Sequence, residues 1–157
     1  PFIAHEACAQ FLGLRSRHGY WDLMRAVMEG LAFAARDCYA AMGALPRDVR
    51  ITGGAARSRA LGVILGAALE CNVRVCSRGE AGAAGAAMIA AVATGLYPDM
   101  ASCAEDWVRP YLNEPQAPDA ALAFRYAQMF PAYLDARLAS RPVWKQLAAL
   151  RAGAGHV

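Results

Sequence analysis

Asp48-Val-Arg-Ile-Thr52-Gly-Gly-Ala-Ala-Arg-Ser58-Arg-Ala-Leu61 is the stretch on which the fold turns. Val49 and Ile51 alternate with polar neighbours, as a short half-buried strand requires, and the run breaks at Gly53-Gly54. Ser58 stands where a helix wants its N-cap, and Leu61, Ile64, Leu65, Ala68 and Leu69 then recur on one helical stripe. The reading is strand, glycine turn, helix. A second strand, Val73-Arg-Val-Cys-Ser77, shows the alternation of a half-buried edge and runs into Glu80-Ala-Gly-Ala-Ala-Gly-Ala-Ala-Met88. That segment reads as a helix of small residues, ending near Gly95 with Pro98 beyond. Upstream, a helix starting near Asp22 places Leu23, Val27, Leu31, Ala34 and Cys38 on one face and stops at Gly43 and Pro46. The order helix, strand, helix, strand, helix predicts an α/β fold with helices packed on a sheet.

The flanks are simpler. Residues 1–18 read as a loop or short extended piece. After a loop holding Pro110, Pro115 and Pro118, two helices are expected, 120–138 and 143–151, separated at Arg141-Pro142. Residues 152–157 read as a frayed end.

Composition excludes several classes of function. With 157 residues, 57% of them hydrophobic and 18% charged, the chain can build one core and is too short for two ordinary domains. Its 16 basic and 13 acidic residues are interspersed, without the basic block a nucleic-acid surface needs. Cys8, Cys38, Cys71, Cys76 and Cys103 are odd in number and never stand as C-x-x-C, so they read as reduced structural thiols of a cytoplasmic protein. His5, His18 and His156 show no metal-ligand spacing with them. The uncharged stretch from Ala81 to Tyr97 is too short and too rich in Gly and Ala to span a membrane, and a buried, closely packed helix accounts for it.

The chemistry sits at the two strand ends. Glycine after a strand lets a ligand approach the backbone, and the following helix offers unpaired N–H groups and a dipole that favours an anionic or polar ligand. A tight connection alone also explains Gly53-Gly54, and close helix packing alone explains Gly82, Gly85 and Ala86. Neither G-x-G-x-x-G nor a Gly-Lys-Ser/Thr phosphate loop is present. Two loop-to-helix openings at neighbouring strand ends could wall one cleft.

Ala9-Gln-Phe-Leu-Gly-Leu14, a seven-residue gap and Asp22-Leu-Met-Arg-Ala-Val-Met-Glu29 resemble the second signature of the FGGY carbohydrate kinases at every defined position. Gly30-Leu-Ala-Phe-Ala-Ala-Arg-Asp37 continues that family's helix, and Thr52-Gly-Gly-Ala-Ala-Arg-Ser58 resembles its adenosine motif. Glu80-Ala-Gly-Ala-Ala-Gly-Ala-Ala87 resembles its Glu-x-x-Ala-Leu-Gly-Ala-Ala opening, with Ala84 where Leu is frequent. The resemblance extends over nearly the whole chain, to Arg141-Pro-Val-Trp144. It implies the ribonuclease H-like (actin-like ATPase) fold, with residues 1–157 as the nucleotide-binding part of the C-terminal domain, helices on a mixed sheet, and the N-terminal sugar-binding and catalytic domain outside this chain.

The implied activity is transfer of the ATP γ-phosphate, with Mg²⁺, to a hydroxyl of a sugar or polyol. Carried over to this sequence, Gly53, Gly54 and Ala55 lie against the adenosine and its α-phosphate, and Ser58 presents a polar side chain to the adenine. Arg57, Glu80, Gly82 and Ala83 line or support the same pocket, Glu80 also being suited to a charge role at a helix N-terminus. Asp22 and Glu29 read as structural, near a helix start and on a helix surface. Ala55 replaces a third glycine common in the family, and 61–67 lacks the Gln and Asp often found there. No Gly-Thr phosphate loop precedes Ala9, and Asp22, Asp37 and Asp48 each have a local structural explanation, so no catalytic residue is assigned. The start at Pro1 without Met leads to the expectation of a fragment. The acceptor suggested is a small polyol such as erythritol or a ketopentose such as xylulose. Two other readings are a stand-alone, non-catalytic nucleotide-binding or protein-interaction module and a different enzyme of the actin-like fold. A homodimer would need an exposed face on the small-residue helix or the C-terminal helices.

Overall fold

A computed structural model describes residues 4–153. The expectation of a frayed end at 152–157 falls, for residues 154–157, outside the described residues, as does His156.

The core forms where three helices meet. Helix α1 (Tyr20–Ala41) follows the loop at 4–18, and Asp22 Oδ2 accepts the Gly19 N–H at 2.9 Å, so this carboxylate secures a helix start. Strand β1 (Asp48–Ile51) leads into a single 3₁₀ turn, Gly53–Arg57, and then helix α2 (Arg59–Leu69). Ser58 caps α2 by accepting the Leu61 N–H at 3.2 Å. Ala32 and Phe33 of α1 pack on Ile64, Ala67 and Ala68 of α2 and on Tyr126, all buried. Phe33 meets the Tyr126 ring edge-on at 5.3 Å and Tyr133 at 5.4 Å.

Strand β2 (Asn72–Val75) pairs in parallel with β1, Val49 opposite Val73 and Ile51 opposite Val75. Val49 and Val73 are buried, and Val49 joins Leu69 and Cys71 in a second apolar cluster. Gly66 lets α2 approach this strand, since a β-carbon there would stand 3.2 Å from Val73 Cγ2 and 3.3 Å from the Cys71 carbonyl. As an edge of the two-stranded sheet, β2 has its open side covered. Residues 112–116 lie antiparallel along its other side, with Val73 and Gln116 exchanging N–H···O bonds of 3.0 and 2.9 Å and Asn113 donating to Val75 at 2.9 Å. The expected mixed sheet is therefore corrected: the sheet is two-stranded and parallel, and the segment read as a proline loop adds only isolated antiparallel bridges beside it.

Two further expectations change, and one helix is added. Helix α3 (Ala81–Ala93) is not buried: Met88 and Ala91 are its buried residues, and Ile89 is 63% exposed. Its main packing partner is α4 (Met100–Trp107), not the sheet, and β-carbons on Gly82 or Gly85 would meet nothing within 4 Å. A Gly/Ala run is apolar but presents little surface, so it forms a helix on propensity without a core to hold it. Helix α4 is an addition to the expected elements, although Pro98 and Asp99 announce it; the Asp99 Oδ1 accepts the Ser102 N–H at 2.7 Å. Finally, the two C-terminal helices are one, α5 (Ala120–Gly153), which runs through Pro131 and Pro142. Buried Tyr126, Ser140 and Trp144 hold it on both sides of Pro142, and packing outweighs the lost main-chain bond there. The segment 4–18 is tied to this helix by Gln10, which donates to Ser140, and by Arg151, whose Nη2 lies 3.0 Å from Cys8 Sγ.

Candidate functional site

Because β1 and β2 are parallel and joined through α2, their carboxyl ends lie side by side. In an open α/β sheet the crevice beyond such strand ends is where ligands bind. Here it is a cleft of about 680 Å³, walled by Thr52, Gly53, Gly54, Ala56 and Arg57 on one side and by residues 75–82 on the other.

The local geometry follows from residue type. Gly53 has φ +72°, a left-handed conformation that any side chain would strain. Its neighbour Gly54 lies in ordinary backbone space, with no atom within 4 Å of where a β-carbon would stand, so its wall is bare main chain. Across the cleft, Glu80 takes φ 50° as the N-cap of α3 and makes no side-chain bond to that helix's first turn. A non-glycine residue in this region costs on the order of 1 kcal/mol.

Of the residues singled out from the sequence, Gly53, Gly54, Arg57, Glu80 and Gly82 line this one cleft. Ala55, Ser58 and Ala83 stand outside its wall, and the Ser58 hydroxyl is engaged in capping α2. Sequence reasoning passed over Arg78, which also lines the cleft and stacks on Tyr111, its guanidinium carbon 4.1 Å from the ring centroid, with Trp107 at 5.8 Å. The aromatic partners lie about thirty residues downstream, in a segment read as loop, so no local pattern pointed to it.

Carboxylates elsewhere are occupied structurally. Asp37 meets Arg137 at 3.1 Å, and Asp48 lies 3.8 Å from Arg74. Glu29, expected on a helix surface, is instead half-buried against α5, accepting from Tyr126 Oη and Arg25 Nε, each at 2.8 Å. Among the described residues no group of three or more His, Cys, Asp or Glu could hold a metal ion, and the five cysteines are free thiols. No helix among the described residues is long and apolar enough to cross a membrane.

Comparison with known proteins bears on most of the chain. It is 57% identical over 148 residues to the erythritol kinase of Brucella abortus, a match covering 94% of this chain and 28% of that kinase. Glycerol kinase 1 of Thermotoga maritima is 31% identical over 104 residues, covering 64% of this chain and 21% of that protein. The crystal structure of xylulose kinase from Rhodospirillum rubrum superposes with a TM-score of 0.74 at 26% identity, over 88% of this chain and 28% of that one. The chain thus spans under a third of the length of these relatives, and its fold is that of the actin-like sugar kinases. The model of the C-terminal domain of the FGGY family of carbohydrate kinases matches residues 1–94, and the chain belongs to that family.

Proposed function

We propose that this chain is the adenosine-holding portion of the C-terminal domain of an ATP-dependent polyol kinase, its N-terminal domain lying elsewhere on the same polypeptide. The observation that carries the reading is the strand-end cleft, in which bare backbone at Gly53 and Gly54 faces the opening of α3. Adenosine fits such a wall because the main chain can be approached closely there and the helix starts favour the adjoining phosphate. The N-terminal domain supplies the groups that hold the terminal phosphates and the carboxylate that takes the acceptor's proton. Domain closure over the cleft aligns the γ-phosphate and excludes water.

Mg²⁺ accompanies ATP in this chemistry, but the donors among the described residues do not fit a metal site, so no step is assigned to the ion here. The 57% identity to an erythritol kinase favours a four-carbon polyol as acceptor. A cytoplasmic setting accords with the free thiols.

Replacing Gly54 tests the reading cleanly, because its backbone tolerates a side chain and only the cleft is filled. In the complete protein, Gly54→Leu is expected to raise the KM for ATP by about tenfold or more while that for the polyol changes by less than about twofold. Equal effects on both substrates would count against adenosine at this wall.

A further inference from the structure

We propose that Arg78 binds the phosphate chain of the nucleotide in the strand-end cleft, an assignment that rests on the nucleotide reading given above. Arg78 leaves β2 three residues before α3 begins and lines the cleft opposite Gly53 and Gly54. Its position is fixed rather than free. The Tyr111 carbonyl accepts both the main-chain N–H of Ser77, at 2.8 Å, and the Ser77 hydroxyl, at 3.1 Å, which pins the loop to the 3₁₀ turn that carries the ring. The guanidinium then stacks on Tyr111 at 4.1 Å, beside Trp107 at 5.8 Å.

Stacking orients a guanidinium without consuming its in-plane N–H groups, which keep their full capacity for an anion. Among the described residues Arg78 has neither a hydrogen bond nor an ion pair, and its Nε is buried without an acceptor. The other arginines with a buried, unsatisfied Nε, Arg74 and Arg137, both face carboxylates, those of Asp48 and Asp37. A half-buried cation held on aromatic rings at the edge of a cavity, with no carboxylate of its own, is a site waiting for an anionic ligand. With Arg57 on the opposite wall, the cleft carries two guanidiniums against the single carboxylate of Glu80. Of the parts of a nucleotide only the phosphates are anionic, and the planar fork of arginine matches their oxygens.

Calorimetric titration of the complete protein with ADP and with adenosine tests this, using Arg78→Met, which keeps an aliphatic stem on Tyr111 but removes the charge. Arg78→Met is expected to weaken ADP about tenfold and adenosine by less than about twofold, and to flatten the salt dependence of ADP binding. Arg78→Lys, with the charge but without the fork, is expected to weaken ADP by about threefold, and it remains informative if the Met variant fails to fold. Unchanged ADP affinity in both variants, or equal losses for ADP and adenosine, overturns the phosphate assignment while leaving the nucleotide cleft standing. A wild-type protein that binds neither ligand overturns both.

Discussion

The phenol of Tyr126 donates to the Glu29 carboxylate across 2.8 Å, joining the last helix to the first at a point where Tyr126 is only 1% exposed. Arg25 approaches both groups, at 2.8 Å from Glu29 and 3.3 Å from Tyr126. Tyr126→Phe leaves the ring packing and removes the donor, and is expected to lower stability by about 1–2 kcal/mol in denaturant unfolding.

The same pair sets a pH dependence. Burial, and then the Glu29 hydrogen bond, push the Tyr126 hydroxyl up from 10.0 to about 12. The folded chain therefore keeps a proton that the unfolded chain releases. The contribution is complete below pH 10 and is lost as pH rises toward 12. Urea midpoints measured across this window should fall more steeply for wild type than for Tyr126→Phe.

Arg36 joins three helices at once. It donates to the Ala68 carbonyl at 2.7 Å, pairs with Glu70 at 2.9 Å and lies 5.0 Å from the Phe130 ring centroid. Arg36→Ala should cost about 2 kcal/mol, and a Lys at this position should recover only a minor part, since it cannot serve the carbonyl and the ring together. Thermal melts of the two variants distinguish these outcomes.

Thiol chemistry should divide the cysteines. Cys71 is buried, and that burial, aided by Asp48, pushes its thiol up to about 11, while Cys103 is fully covered. Cys8, Cys38 and Cys76 are partly accessible. In native protein at pH 8 an aromatic disulfide reagent should modify these three at least about tenfold faster than Cys71 and Cys103. Equal rates for all five would show that the core opens readily.

Pro142 lies exposed inside α5, where it gives no N–H to the preceding turn. Pro142→Ala is expected to raise stability by about 1 kcal/mol or more, with unfolding in denaturant as the check.

The strand, turn and helix at Asp48–Leu69 were legible because each local signal agreed with the next: alternation at Val49 and Ile51, glycine at the break, Ser58 as cap. The two cleft walls followed from that pattern and from the family resemblance. Burial of α3 was misjudged because hydropathy counts Gly and Ala as apolar, whereas burial depends on what stands opposite, and nothing within 4 Å faces Gly82 or Gly85. The break at Arg141-Pro142 was a sound local inference that packing at Ser140 and Trp144 overrode. Arg78 was invisible for a different reason: its setting is made by Tyr111 and Trp107, which the fold brings to it from about thirty residues downstream.

Both lips of the cleft are carried by a single strand-helix-strand unit whose helix is among the most enclosed parts of the molecule, with Ile64, Gly66, Ala67, Ala68 and Leu69 all buried. Each lip is rooted in a strand that α2 ties to the core, so the base of this wall behaves as an anvil rather than a jaw. On the proposed reading, a ligand settling here spends little ordering entropy on the protein side.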